Sequence, residues 1–128
     1  METRDLKTFD LVNKFIETQY TKKWGYYVDH LRLPKLVIKT LVIEPSQSIS
    51  LQRHDKRTEY WTIAKGMAGV FTGNNPESMQ GHTYKQGNSL IIHAGQWHQV
   101  TNLSMSDPLV IVEVQAGLEC LEEDIERY

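Results

Sequence analysis

Between Leu36 and Gln115 the chain breaks into short runs of β-branched and aromatic residues, and most breaks carry glycine, proline, asparagine or serine. The clearest run is Leu36–Ile43, closed by Glu44-Pro45. Further runs cover residues 48–54, 59–64, 67–71, 83–85, 89–92, 97–102 and 109–115. Short strands at this spacing, with turn residues between them, predict an all-β sandwich or barrel. Residues 5–22 differ. Leu6, Phe9, Val12, Phe15, Ile16 and Tyr20 recur at steps of three and four, which predicts an amphipathic helix packed on the sheet as a lid or dimer contact. The acidic tail, residues 118–128, is expected to form a short helix. The expected organisation is a helical extension over residues 1–23 and one β-domain over 24–128.

At 128 residues the chain is long enough for one self-sufficient core. The net charge is −2 with both signs interspersed, which argues against a nucleic-acid or anionic-membrane surface. No apolar run has the length of a membrane span, and the charged start Met1-Glu2-Thr3-Arg4-Asp5 opens no signal-peptide core. Cys120 is the single cysteine, so no internal disulfide forms and a reducing, cytoplasmic setting is expected.

Two segments carry chemistry. Gln52-Arg53-His54-Asp55-Lys56-Arg57-Thr58-Glu59 gathers an amide, an imidazole, a guanidinium and a carboxylate. In a strand, residues two apart share a face, so Gln52 and His54 project together. A tight turn after His54 returns Glu59 to the same side. His98 arrives from a later strand after the turn Ala94-Gly95. Two nitrogens and two oxygens suit a divalent cation with positions left open. Each residue taken singly has a plainer reading. A lone histidine is usually a hydrogen-bonded structural one, Glu59 alone is a strand residue, Trp61 belongs to a core, and His30 and His82 lack partner spacing.

Gln52, His54, Glu59 and Gly66 fall on the last four positions of the first cupin motif. Gly87, Gly95, His98 and Asn102 match the second, with His93 where proline is usual. The chain resembles the C-terminal cupin domain of type II phosphomannose isomerases, which in bifunctional enzymes follows a mannose-1-phosphate guanylyltransferase domain. Trp24-Gly25-Tyr26, Ser50-Leu51-Gln52, Arg57-Thr58-Glu59 with Trp61, Glu113-Val114-Gln115 with Gly117, and Asp124-Ile125 with Arg127 carry the resemblance. Asp55, Lys56 and Tyr60 stand where that family commonly has histidines, and Gln99 where a basic residue is frequent.

The resemblance implies a jelly-roll β-barrel whose Gln52, His54, Glu59 and His98 hold one divalent ion: zinc, manganese, cobalt, nickel or iron. The implied reaction interconverts mannose 6-phosphate and fructose 6-phosphate, with any nucleotidyl transfer supplied by a separate guanylyltransferase. Arg57 is the candidate for the phosphate or the developing oxyanion. Lys56 is the candidate base or phosphate contact, on the face of Gln52 and His54 unless a bend before Glu59 turns it away. His93, near the barrel mouth, is a weaker candidate. A homodimer is expected from an open sheet edge and an apolar helix face. The alternatives are a sugar-phosphate or nucleotide-sugar binding module without turnover, a different metal-dependent reaction such as an iron oxygenase, and a metal-free structural cupin.

Overall fold

The computed structural model describes residues 15–128. Eleven strands run in chain order: β1 Phe15–Lys22, β2 Gly25–Leu33, β3 Leu36–Ile43, β4 Gln52–Arg53, β5 Arg57–Lys65, β6 Met67–Asn75, β7 Ser78–Lys85, β8 Ser89–Ile92, β9 Trp97–Asn102, β10 Leu109–Gly117 and β11 Glu126–Arg127. They form two sheets, ordered β1-β2-β3-β10-β5-β8 and β11-β4-β9-β6-β7, in which every pairing is antiparallel. The all-β expectation holds. The expected barrel is seen as two sheets that share one core.

Strict alternation fixes the layers. In β3 the buried positions are Val37, Lys39, Leu41 and Ile43, and in β5 they are Arg57, Glu59, Trp61 and Ile63. In β10 they are Leu109, Ile111, Glu113 and Gln115. The register lays Ile111 between Leu41 and Ile63, and Glu113 between Lys39 and Trp61. The inner face of the larger sheet is therefore apolar at one end and polar at the other. The apolar end packs on Ala68, Val70 and Val100 of the smaller sheet, with Ile49 and Ile92 filling the rest. Burying side chains of this size contributes about 1.5–3 kcal/mol each, so this end holds the sandwich shut.

Two helical expectations are corrected. Residues 15–22 of the predicted N-terminal helix form β1, in which Thr18, Tyr20 and Thr21 pair with Asp29, Tyr27 and Tyr26 of β2. Residues rich in aromatic and β-branched side chains gain more from cross-strand contacts than from helical propensity. The remainder of that helix, residues 5–14, lies outside the described residues. The tail is not helical either: it runs through turns into β11, where Glu126 and Arg127 pair with Arg53 and Gln52. No helix among the described residues is long and apolar enough to cross a membrane.

Candidate metal centre

The polar end of the sandwich brings three ligand-type side chains together. His54 follows β4, Glu59 lies on β5, and His98 lies on β9. Their donor atoms all fall within 4.8 Å of one another, and all three residues are buried. Glu59 sits in the middle: its Oε2 is 3.3 Å from His54 Nε2 and its Oε1 is 3.7 Å from His98 Nε2.

Backbone carbonyls orient both imidazoles. His54 Nδ1 lies 2.7 Å from the Asp124 carbonyl oxygen, and His98 Nδ1 lies 3.1 Å from that of Gln96. A carbonyl only accepts, so each Nδ1 carries the proton and each Nε2 presents a lone pair toward Glu59. Arg57 Nη2, 3.2 Å from His54 Nε2, is a donor and agrees with that tautomer. His98 Nε2 is buried with no hydrogen-bond partner among the described residues. An unpartnered buried acceptor costs free energy in an apolar interior. A carbonyl-anchored histidine with a free, inward Nε2 is the arrangement of a metal ligand. The donor set therefore fits a divalent cation.

The electrostatics agree. Burial alone would raise the Glu59 carboxyl, but His54, His98 and Arg57 outweigh it and hold Glu59 below the usual carboxylate range. Burial pushes the His54 imidazole down, which keeps it neutral and able to ligate. Trp61 Nε1 donates to Glu59 Oε1 at 3.2 Å, and Arg57 Nε donates to Oε2 at 3.0 Å, so both carboxylate oxygens are held in place.

His54 and Glu59 of the triad line a cavity of about 310 Å³, with His98 buried behind them. Lys39, Glu113, Gln115 and Glu122 line its other side, and Lys22, Lys23 and Arg127 add cationic side chains. Lys39 is buried, with its ammonium 2.9 Å from Glu122 Oε1 and 4.4 Å from the Tyr27 ring centroid. Burial opposes that charge, but Glu113, Glu122 and Asp29 outweigh it and raise the ammonium above its ordinary value. Burial also works on Glu122, yet Lys39 and Arg32 bring its carboxyl down to about 2. Glu113 goes the other way: burial and then the Glu59 charge push it up to about 7.

The residues expected from the sequence separate into two groups. His54, Glu59 and His98 converge, and Gln52 lines the cavity from the position paired with His98 across β4 and β9. Arg57 also lines the cavity, but its guanidinium is committed to Glu59, His54 and the Leu121 carbonyl. Lys56 is not brought to the cavity. The chain bends at Asp55 and Lys56, whose amides donate to the Asp124 carboxylate, and the Lys56 ammonium pairs outside with Glu119 at 3.0 Å. His93 is exposed as well. Lys39, Glu113 and Glu122 were not singled out as site residues. Their signal was available for two of them: Lys39 and Glu113 sit at inward positions of otherwise apolar strands, where a charge needs a reason to be.

Residues 12–128 match the family described as Mannose-6-phosphate isomerase C-terminal. The chain is 31% identical over 107 residues to alginate biosynthesis protein AlgA of Pseudomonas putida, an alignment covering 84% of this chain and 21% of that protein. It is 29% identical over 107 residues to xanthan biosynthesis protein XanB of Xanthomonas campestris, covering 84% of this chain and 22% of that protein. It is 28% identical over 107 residues to mannose-1-phosphate guanylyltransferase ManC of Salmonella typhimurium, covering 84% and 21%. The chain thus spans about a fifth of the length of these relatives. Among solved structures, oxalate decarboxylase OxdC of Bacillus subtilis superposes with a TM-score of 0.74 at 16% identity, covering 87% of this chain and 30% of that one. Capsular polysaccharide assembling protein CapF of Staphylococcus aureus gives 0.73 at 13% identity, covering 88% and 34%. Both likenesses concern the fold, which is that of a cupin.

Proposed function

The chain belongs to the mannose-6-phosphate isomerase C-terminal family, and on that premise we propose that it is a metal-dependent sugar-phosphate isomerase interconverting mannose 6-phosphate and fructose 6-phosphate. The observation that supports this most is the pair of carbonyl-anchored histidines aiming Nε2 lone pairs at a buried carboxylate beside a cavity of sugar size. His54, Glu59, His98 and Gln52 would hold the divalent cation, which can be zinc, manganese, cobalt, nickel or iron. Bound there, it supplies a Lewis acid for the oxygens on C1 and C2, where negative charge develops.

The chain's own residues do the rest. The apolar floor of Leu41, Ile49 and Trp61 excludes water from one side of the cavity. Arg57 keeps Glu59 ionised and oriented and, as part of the cavity wall, adds positive charge for an anionic substrate. The names of the relatives point to alginate, xanthan and nucleotide-sugar supply, so the proposed setting is precursor synthesis for a polysaccharide, beside a mannose-1-phosphate guanylyltransferase. Lys56, placed outside, has no part in it.

One second reading has a specific observation behind it. The chain matches only about a fifth of relatives such as AlgA and ManC, which suits a sugar-phosphate binding module that works beside another domain. A coupled assay separates the two. Fructose 6-phosphate formed from mannose 6-phosphate is followed on metal-loaded protein, on chelated protein and on His98→Ala. Turnover that needs both the metal and His98 is the expected result. No turnover with metal demonstrably bound overturns the isomerase and leaves the binding module.

A further inference from the structure

Moving a hydrogen between neighbouring carbons needs a group that can take a proton and return it. The cavity offers three carboxylates, Glu59, Glu113 and Glu122. Glu59 is committed between His54, His98, Arg57 and Trp61. Glu122 is tied by two cations, Lys39 at 2.9 Å and Arg32 at 2.8 Å, which makes it a poor proton acceptor. Lys39 is itself fixed as an ammonium by Glu122 and Asp29. That leaves Glu113.

The placement of Glu113 is specific. It is buried on β10, flanked in register by Lys39 on β3 and Trp61 on β5, while the next inward position, Gln115, lies opposite Glu59. It therefore stands beside the ligand triad and not within it. Its Oε1 accepts a hydrogen bond from Gln115 Nε2, which fixes the plane of the carboxylate. Its Oε2 has no hydrogen bond among the described residues and is not one of the sealed, unpartnered atoms. Glu113 is itself a lining residue of the cavity, and Oε2 is its uncommitted atom there.

We infer that Glu113 is the catalytic residue that carries the proton between C1 and C2 of the open-chain sugar phosphate, with Gln115 as its positioning residue. The inference rests on the isomerase reading. In the forward direction Glu113 Oε2 removes the hydrogen on C2 as a proton. The C–H electron pair becomes the C1–C2 double bond, and the carbonyl π pair moves to O1. A proton passes from O2 to O1, the enediol collapses to a ketone at C2, and Glu113 returns its proton to C1. No oxidant or further reactant is consumed.

The test uses the full chain loaded with metal, with Glu113→Gln and Glu113→Asp beside wild type. Metal content is measured, fructose 6-phosphate binding is titrated, and turnover and deuterium uptake from D2O into the sugar are followed. The expected result for Glu113→Gln is unchanged metal content and binding, kcat lower by about 10²–10⁴-fold, and loss of deuterium uptake. Glu113→Asp recovers part of the exchange. Turnover of Glu113→Gln within about threefold of wild type, or loss of its metal, overturns the assignment. A wild type that binds metal but forms no fructose 6-phosphate from mannose 6-phosphate overturns the isomerase reading, and the assignment with it. The wild-type arm therefore tells the two failures apart.

Discussion

Glu113→Gln should make the metal-free protein more stable at alkaline pH. The carboxyl rises from 4.5 to about 7 because burial and the Glu59 charge oppose its ionisation. A group whose folded pKa lies above its unfolded value binds its proton more tightly when folded. Its favourable contribution is fully present below about pH 4.5 and is lost as pH rises through about 7. At about 1.4 kcal/mol per tenfold in proton affinity, the span sets an upper limit of roughly 3 kcal/mol. Coupling to Glu59 and dielectric relaxation make about 1–2 kcal/mol the expected size. The amide keeps the shape and still accepts from Gln115 Nε2 through Oε1. Urea unfolding in the presence of chelator, at pH 5, 6, 7 and 8, gives the assay. His54 acts with the opposite sign, since burial lowers its pKa and its contribution is lost as pH falls through the ordinary histidine range. It does so in both proteins. The difference between the two curves therefore isolates Glu113: near zero at pH 5, growing in favour of the variant by pH 8. Curves that stay parallel across that range would refute the account of Glu113 as a strained carboxylate.

Trp61→Phe removes the donor to Glu59 Oε1 and should weaken metal affinity by about 10–100-fold, read by competition with a chelating dye while the fold is retained by circular dichroism. Lys39→Met leaves Asp29 and Glu122 to Arg32 alone and should cost about 1–3 kcal/mol near neutral pH. Chemical denaturation checks it, and a loss under about 1 kcal/mol would remove Lys39 as the anchor of that wall. Gly25 holds φ at +146°, and a Cβ there would lie 2.0 Å from the Val42 carbonyl oxygen. Gly25→Ala should therefore cost about 2–4 kcal/mol in a thermal melt, since only backbone movement in the turn from β1 to β2 relieves the clash.

The strands that read clearly from the sequence are those with uninterrupted alternation. Residues 36–43 and 97–102 appear at the expected bounds as β3 and β9, and β8 at Ser89–Ile92. Residues 48–54 were expected as one strand. They shrink to Gln52–Arg53 plus a bridge from Ser48 to Thr101, after a turn at Pro45 and Ser46 in which Ser46 holds a positive φ of 63°. β7 extends from Ser78, through Gly81, where a Cβ would meet the Phe71 ring at 2.7 Å. A glycine inside a strand reads as a break, although here it makes room for a cross-strand aromatic ring. At the site, the spacing of His54 and Glu59 was enough to place them together, since both lie near one tight turn. Lys56 was misplaced by the same alternation, because the bend at Asp55 follows from amides donating to Asp124 some 68 residues away, which no local pattern encodes. The tie of the His54 ring to the Asp124 carbonyl was invisible for the same reason.

That tie has a consequence for the order of assembly. The hydrogen bond that fixes the His54 tautomer closes a loop of 70 residues, and Arg57 is fixed to the Leu121 carbonyl across 64. Hairpins such as β6–β7 join neighbours in sequence and form early, whereas closures of this length are late events in folding. The sandwich can thus exist before its histidines are aimed. During refolding, high-affinity cation uptake should lag behind sheet formation, so that the empty scaffold comes first and loading is the last step of maturation.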